Sequence, residues 1–259
     1  MSDTLALGRV TTATDAAGVA TISFFHPAHN SLPGALLAEL AQAIITLGQA
    51  PTTKVIVLKS EGERTFCAGA SFDELLSIQD EQEGLGFFSG FADVINACRT
   101  CPRIIIGRVQ GRAIGGGVGV AAATDYCLAS TQAAVKLSEL VVGIGPFVVG
   151  PAVERKIGRA AYAQLALDAA EFRPAEWALA KGLYASLHDT PETLDAAVTA
   201  LAAKLAAYNP DALAELKKVL WEGTAHWDTL LPARAAISGR LVLSEFTQAA
   251  IGAFKQGAR

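Results

Sequence analysis

The chain has 259 residues, of which 51% are apolar and 18% charged, and a formal net charge of −4. So apolar a chain is not disordered, and it is long enough for one large domain or two small ones around a sizeable core. Its slight acidity, 21 Lys and Arg against 25 Asp and Glu, argues against a nucleic-acid partner, which would need a basic face.

No apolar run reaches the roughly 18 residues of a membrane span. The start, Met1-Ser-Asp-Thr4, lacks the basic residues and apolar run of a signal peptide. A cytoplasmic protein without a membrane partner is expected. Residues 10–14 and 19–25 are β-prone and joined by a hairpin turn at Asp15-Ala-Ala-Gly18. Pro33 opens a helix with Leu36, Leu40, Ile44 and Leu47 on one face. Residues 55–58 read as a buried strand. A loop over 61–71 follows, then a short helix through Leu75 and Leu76 and a longer one around 91–98. Ile104-Ile-Ile106 resumes the sheet and leads to a glycine cluster over 111–119, and residues 125–129 and 134–137 are two further strands.

From about Pro151 the pattern is helix after helix. Leu194, Ala197, Val198, Leu201 and Leu205 mark one face, and Leu213, Leu216 and Leu220 the next, with Asn209-Pro210 as the break. Alternating strands and helices in the first half bury each strand pair under a helix, which makes the fold class α/β. Residues 1–195 read as the core that holds the site. Residues 196–259 read as a helical region for oligomerisation and for covering the site.

Cys98 and Cys101 form a CxxC, the spacing of a redox or zinc half-site. There is no second CxxC, and His26, His29, His188 and His226 show no metal-ligand spacing on a helix. Pro27 marks a turn between the first two. The cysteines read as buried thiols, and no metal is expected.

Two loops follow buried strands and are built of small residues: Gly62-Glu-Arg-Thr-Phe-Cys-Ala-Gly-Ala-Ser-Phe72 and Gly111-Arg-Ala-Ile-Gly-Gly-Gly-Val-Gly119. Small residues let backbone approach a ligand, and a helix starting there points unpaired N–H groups at it. Ala70 and Gly116 are each expected to open a helix. One N–H from each loop, aimed at a common point, makes an oxyanion hole; either loop alone also reads as a tight strand-to-helix turn. Gly117-Val-Gly119-Val-Ala-Ala122 fits a dinucleotide fingerprint, with Glu139 near the ribose-acid position. The preceding strand does not run into the first glycine, and about six residues of helix are too few for a crossover. That reading is set aside.

Phe66-Cys-Ala-Gly-Ala70, then Gly111-x-x-x-Gly-Gly-Gly117, Asp125 and Ser138-Glu139-Leu-x-x-Gly143-x-x-Pro146 resemble the crotonase superfamily, the enoyl-CoA hydratases and isomerases. The resemblance runs from about Val10 to the C-terminus, with the motifs in the family's order. It implies a superhelix of repeated ββα units with a helical C-terminal region, trimers that pair into hexamers, and an acyl-CoA thioester substrate. No cofactor is implied beyond the coenzyme A carried by that substrate. By position, the amides of Ala70 and Gly116 would hold the thioester oxygen and Ala68 would meet the adenine. Gly69, Gly115, Gly117, Gly119 and Pro146 would also belong to the substrate site.

Glu139 stands at the second of two glutamate positions found in typical hydratases, and Gly119 stands at the first. The resemblance implies an enoyl-CoA hydratase working with one glutamate. An enoyl-CoA isomerase is the alternative, and a non-catalytic acyl-CoA-binding homologue is the third. The apolar run Val141-Val-Gly-Ile-Gly-Pro-Phe-Val-Val-Gly-Pro151 is similar to a bacterial subgroup of enoyl-CoA or methylglutaconyl-CoA hydratases. Ala253-Phe254 matches the family's C-terminal aromatic, and Lys255 is left where a Lys-Arg pair would meet phosphate.

The α- and γ-protons of a thioester become acidic only when charge on its oxygen is stabilised. One acid or base beside those carbons then adds roughly 10²–10⁴-fold. Glu139, before apolar Leu140, Val141 and Val142, is expected to be desolvated with a raised pKa; capping the next helix, with Ser138 as N-cap, is the structural alternative. Gly119 is expected to leave room for a branched or bulky acyl group. Asp73 and Glu74 read either as a second carboxylate at the site or as acids favouring a helix N-terminus. Arg64 reads as a phosphate contact or a solvated charge. Phe87, Phe88 and Phe147 read as acyl-pocket or core residues, and Asp125 as structural.

Overall fold

The protein is described by a computed structural model over residues 8–257, so the Met1-Ser-Asp-Thr4 segment lies outside the described residues. Strands β1 (Arg9–Thr14) and β2 (Val19–Phe25) form the expected antiparallel hairpin. Asp15 Oδ1 accepts from the amides of Ala17 and Val19, both at 2.9 Å, and Gly18 takes φ +86°. The side chain closes the turn and the glycine supplies the left-handed residue. Short β3 (Ser31–Leu32) precedes α1 (Gly34–Gln49), which buries Leu36, Leu40 and Ile44.

Three ββα units follow. The first is β4 (Val55–Ser60), β5 (Thr65–Cys67) and β6 (Gly69–Ala70), then α2 (Phe72–Ser77) and α3 (Glu81–Thr100). The second is β7 (Ile104–Val109), β8 (Arg112–Ile114) and α4 (Gly116–Ala123). The third is β9 (Tyr126–Ser130), β10 (Ala134–Lys136), a 3₁₀ turn (Glu139–Val142) and α5 (Gly150–Leu167). Each unit sends its first strand to a six-stranded sheet and its second to a smaller one. The remaining elements are β11 (Arg173–Pro174), α6 (Ala175–Ala180), β12 (Ser186–His188), α7 (Pro191–Ala206), α8 (Pro210–Leu220), α9 (Trp227–Leu241) and α10 (Glu245–Gly257). The large sheet runs β1-β2-β4-β7-β9-β12, parallel from β2 onward, and the smaller one β11-β10-β8-β5.

β4 and β7 are buried on both faces, as their unbroken apolar runs require. Ile56, Leu58 and Ile105 point into the main core, while Val55, Val57 and Ile106 meet Leu194, Val198 and Ala202 of α7. Helix α7 runs across the expected boundary at 195/196. The helical second half is interrupted by β11 and β12, two strands too short to leave a periodic signal.

Two features lock the C-terminal helices to the core. Where α3 and α9 cross, a β-carbon on Gly84 would stand 2.7 Å from Gly239 Cα, so only glycine allows the backbones to touch. Behind the sheet, Lys217 Nζ of α8 donates to Asp125 Oδ2 at 2.6 Å, with both side chains 3% exposed. The amide of Ile105 and Trp221 Nε1 also donate to this carboxylate, each at 2.7 Å. Asp125 is structural, as its position suggested. All four cysteines are buried free thiols, and burial pushes Cys98 up to about 12.

Candidate active site

Helix α4, GGVGVAAA, is buried throughout and made of small residues, so it threads the core at close approach. Gly115 precedes it at φ +52°, and the N–H of Gly116 is the first of the helix, outside the helical ladder. Gly69, at φ +86°, brings the first loop against the second. A β-carbon there would stand 2.8 Å from the Ile114 carbonyl oxygen and 3.3 Å from Gly116 N. Asn30 braces this loop, its Nδ2 donating to the carbonyls of Glu61 and Thr65 at 2.8 and 2.9 Å.

Ala70 does not open a helix. It lies in β6, paired with Leu32, and α2 begins at Phe72 after Ser71, whose Oγ accepts from the Glu74 amide. Pairing with β3 keeps Gly69 and Ala70 extended, and serine is the better N-cap. Gly116 does open α4, as expected.

Glu139 begins the 3₁₀ turn, beside Gly115: a β-carbon on that glycine would stand 3.1 Å from its Oε1. Its Oε2 is shut off from solvent and has no hydrogen-bond partner. Burial raises the Glu139 pKa to about 7, with its own amide pulling weakly the other way. Ser138 makes no capping hydrogen bond, so the turn's start is left without a side-chain cap.

A cavity of about 50 Å³ opens before this carboxylate. Ala68, Gly69, Ala70, Gly115, Gly116, Glu139 and Pro146 lie on its wall. Gly117 and Gly119 do not: β-carbons there would stand 2.5 Å from the Cys67 carbonyl oxygen and 2.4 Å from Val149 Cγ1. The room expected at Gly119 is filled by Val149. Phe88 and Phe147 are on the wall, whereas Phe87 packs edge-on against Phe88 in the core. Glu74 is occupied elsewhere, its Oε2 accepting from the Gly34 amide at 2.7 Å. It serves a helix N-terminus, but that of α1. Asp73 and exposed Arg64 are not on the wall.

Sequence reasoning did not single out Phe72, Leu75, Phe91, Val149 or Ser238, which also line the cavity. Val149 lies in the apolar run already noted, but nothing local marks Ser238, which reaches the wall through the α3–α9 crossing. Phe254 of α10 packs edge-on against Phe72, with centroids 5.4 Å apart. The Lys255 side chain lies outside the described residues.

A family model for enoyl-CoA hydratase/isomerase matches residues 14–251. The chain belongs to the enoyl-CoA hydratase/isomerase family. Among this family, "Probable enoyl-CoA hydratase" of Bacillus subtilis (strain 168) is 28% identical over 239 residues, covering 91% of this chain and 92% of that protein. Bacillaene synthase dehydratase PksH of the same organism is 35% identical over 148 residues, 55% of each chain, so this chain spans about half of PksH. Human mitochondrial delta3-delta2-enoyl-CoA isomerase superposes with a TM-score of 0.87 at 21% identity, covering 96% of this chain and 98% of that one. That likeness speaks for the fold, the ββα superhelix with a helical C-terminal region expected above.

In this enoyl-CoA hydratase/isomerase family member, the glycine at the head of α4 is also a packing requirement. A β-carbon on Gly116 would stand 2.1 Å from Phe91 Cε1. Gly116→Ala is expected to cost about 1–3 kcal/mol through overpacking. Urea denaturation measures it, and an unchanged midpoint would contradict the close contact.

Proposed function

We propose that this protein is a lyase that adds water reversibly to the double bond of a 2-enoyl-CoA, with Glu139 as its acid and base. The observation that carries this reading is the Glu139 carboxyl at the meeting of the two glycine loops, with its Oε2 shut off from solvent and without a hydrogen-bond partner. In the proposed step, ionised Glu139 takes a proton from water as the water oxygen bonds to C3. The electron pair of the double bond moves onto the thioester, whose oxygen is held by the amides of Ala70 and Gly116. Glu139 then returns its proton to C2 and is ionised again. One such donor contributes roughly 3–4 kcal/mol to the transition state. A carboxyl titrating near 7 suits both half-steps at neutral pH. The only cofactor chemistry in this reading is the coenzyme A of the substrate, with Ala68 on its path.

Val149 packed over Gly119 favours a second reading. A wall with one carboxylate suits an isomerase, in which Glu139 removes a proton from C2 and delivers it to C4. Ultraviolet absorbance of the conjugated enoyl thioester separates the two. Decay with crotonyl-CoA that vanishes in Glu139→Gln supports hydration. No decay, but a rise with a 3-enoyl-CoA, supports isomerisation. Silence with both leaves the non-catalytic acyl-CoA-binding homologue.

The proposal extends to a homotrimer, alone or paired into a hexamer, in the cytoplasm. Helix α8 exposes Leu216, Val219 and Leu220 while its one buried residue is Lys217. An apolar surface turned outward suits a subunit contact. The packing of α10 on the 3₁₀ turn and on Phe72 supports its role as a cover. Among the described residues no helix is long and apolar enough to cross a membrane.

A further inference from the structure

Val149 occupies the space that Gly119 alone would leave open. It is 4% exposed and stands at the N-terminal edge of α5. One side of it meets Gly119, where a β-carbon would stand 2.4 Å from its Cγ1 and 2.6 Å from its Cβ; the other is part of the cavity wall. Phe147 closes the same stretch, lying over Gly145 so that a β-carbon there would stand 2.3 Å from its Cζ. Val142, Ile144 and Val148 complete an apolar end. The cavity measures about 50 Å³, where one water takes roughly 10–15 Å³. A short acyl chain fits that space. A second carboxylate on the chain would enter apolar surroundings beside the buried carboxyl of Glu139, so desolvation and like charge both oppose it.

We propose that Val149 is the specificity-determining residue of this site and confines it to short, uncharged acyl thioesters. The proposal rests on the acyl-CoA reading above. It reverses the branched or bulky acyl group expected from Gly119. In a packed apolar site one misplaced methylene changes kcat/KM by about 10–200-fold.

The test is a ladder of kcat/KM values for crotonyl-, 3-methylcrotonyl-, 2-octenoyl- and glutaconyl-CoA, with the wild type and Val149→Ala. The wild type is expected to fall by roughly tenfold or more from crotonyl to the branched and longer substrates. For glutaconyl-CoA the expected fall is about two orders of magnitude. Val149→Ala is expected to raise the octenoyl-to-crotonyl ratio by roughly tenfold or more while glutaconyl-CoA stays rejected. A wild type that uses octenoyl- or glutaconyl-CoA as well as crotonyl-CoA overturns the proposal, and so does an unchanged ratio in the variant. Should Val149→Ala not fold, Val149→Leu narrows the cavity without leaving a hole and is expected to lower crotonyl-CoA turnover by about the same factor.

Calorimetric binding of butyryl-, octanoyl- and glutaryl-CoA to the wild type requires no turnover. Preference for butyryl-CoA without turnover of any enoyl substrate keeps the size limit and rejects the hydratase and isomerase readings. Equal binding of all three rejects the size limit alone. Binding of none rejects both.

Discussion

Glu139→Gln is expected to lower turnover by roughly 10²–10⁴-fold and, above neutral pH, to make the protein more stable. Both effects come from the same burial. The folded protein holds the Glu139 proton up to about pH 7, whereas an unfolded chain releases it near 4.5. Between those values the unfolded state binds fewer protons, so stability falls as pH rises and levels off beyond 7. The wild type therefore carries a penalty on the order of 3 kcal/mol at pH 8 that the neutral amide escapes. Any cost of burying the amide itself applies at all pH and cancels in the comparison. Urea denaturation of both proteins at pH 4.5 and pH 8 measures the gap. A gap that does not widen at pH 8 would place the carboxylate in water instead. In the wild type, kcat/KM for hydration should rise with pH through about 7 as the base form appears.

Lys217→Met carries the largest expected loss of stability. It removes the cation bonded to the Asp125 carboxylate, which keeps the Ile105 amide and the Trp221 indole as donors, and leaves Lys156, bonded to the Asp125 carbonyl at 2.8 Å, as the nearby positive charge. Breaking a buried pair from one side costs about 3–5 kcal/mol, a fall in Tm of roughly 10 °C for a chain of this length. The loss should be concentrated at α8, where Lys217 is the one buried residue. Adding Asp125→Asn to Lys217→Met should recover part of it, because the stranded charge is then gone. Denaturation at fixed protein concentration, which keeps assembly constant, reads the cycle. A single variant within about 1 kcal/mol of the wild type would mean that water reaches the pair.

Much of this architecture was legible because local chemistry and tertiary structure agree. Asp15 and Gly18 close the first hairpin, Pro33 starts α1, and the runs at Val55 and Ile104 become the doubly covered strands of the sheet. The smaller sheet was legible only in β10, which lies within the strand expected over 134–137. Its other strands are two or three residues long, held by pairing with distant partners and not by any pattern of their own. Ala70 was placed in a helix for that reason: β3, far upstream, holds it extended. Glu139 was legible as a desolvated acid, although of the apolar residues after it only Val142 is buried and shares the cavity wall; Leu140 and Val141 face outward. The filling of Gly119 by Val149 was not legible, since it joins positions 119 and 149 through packing alone.

The touching glycines of α3 and α9 also set a schedule. Gly84 leaves the ribosome long before Gly239, and at roughly 5–20 residues per second the interval is on the order of 10–30 s. The rest of the sheet and the second glycine loop are made within that interval, and until it ends α3 has no helix laid across it and Ser238 is missing from the cavity wall. The cavity wall is thus completed only once α9 has been made. Until then Gly84 and the flank of α3 around it stay uncovered.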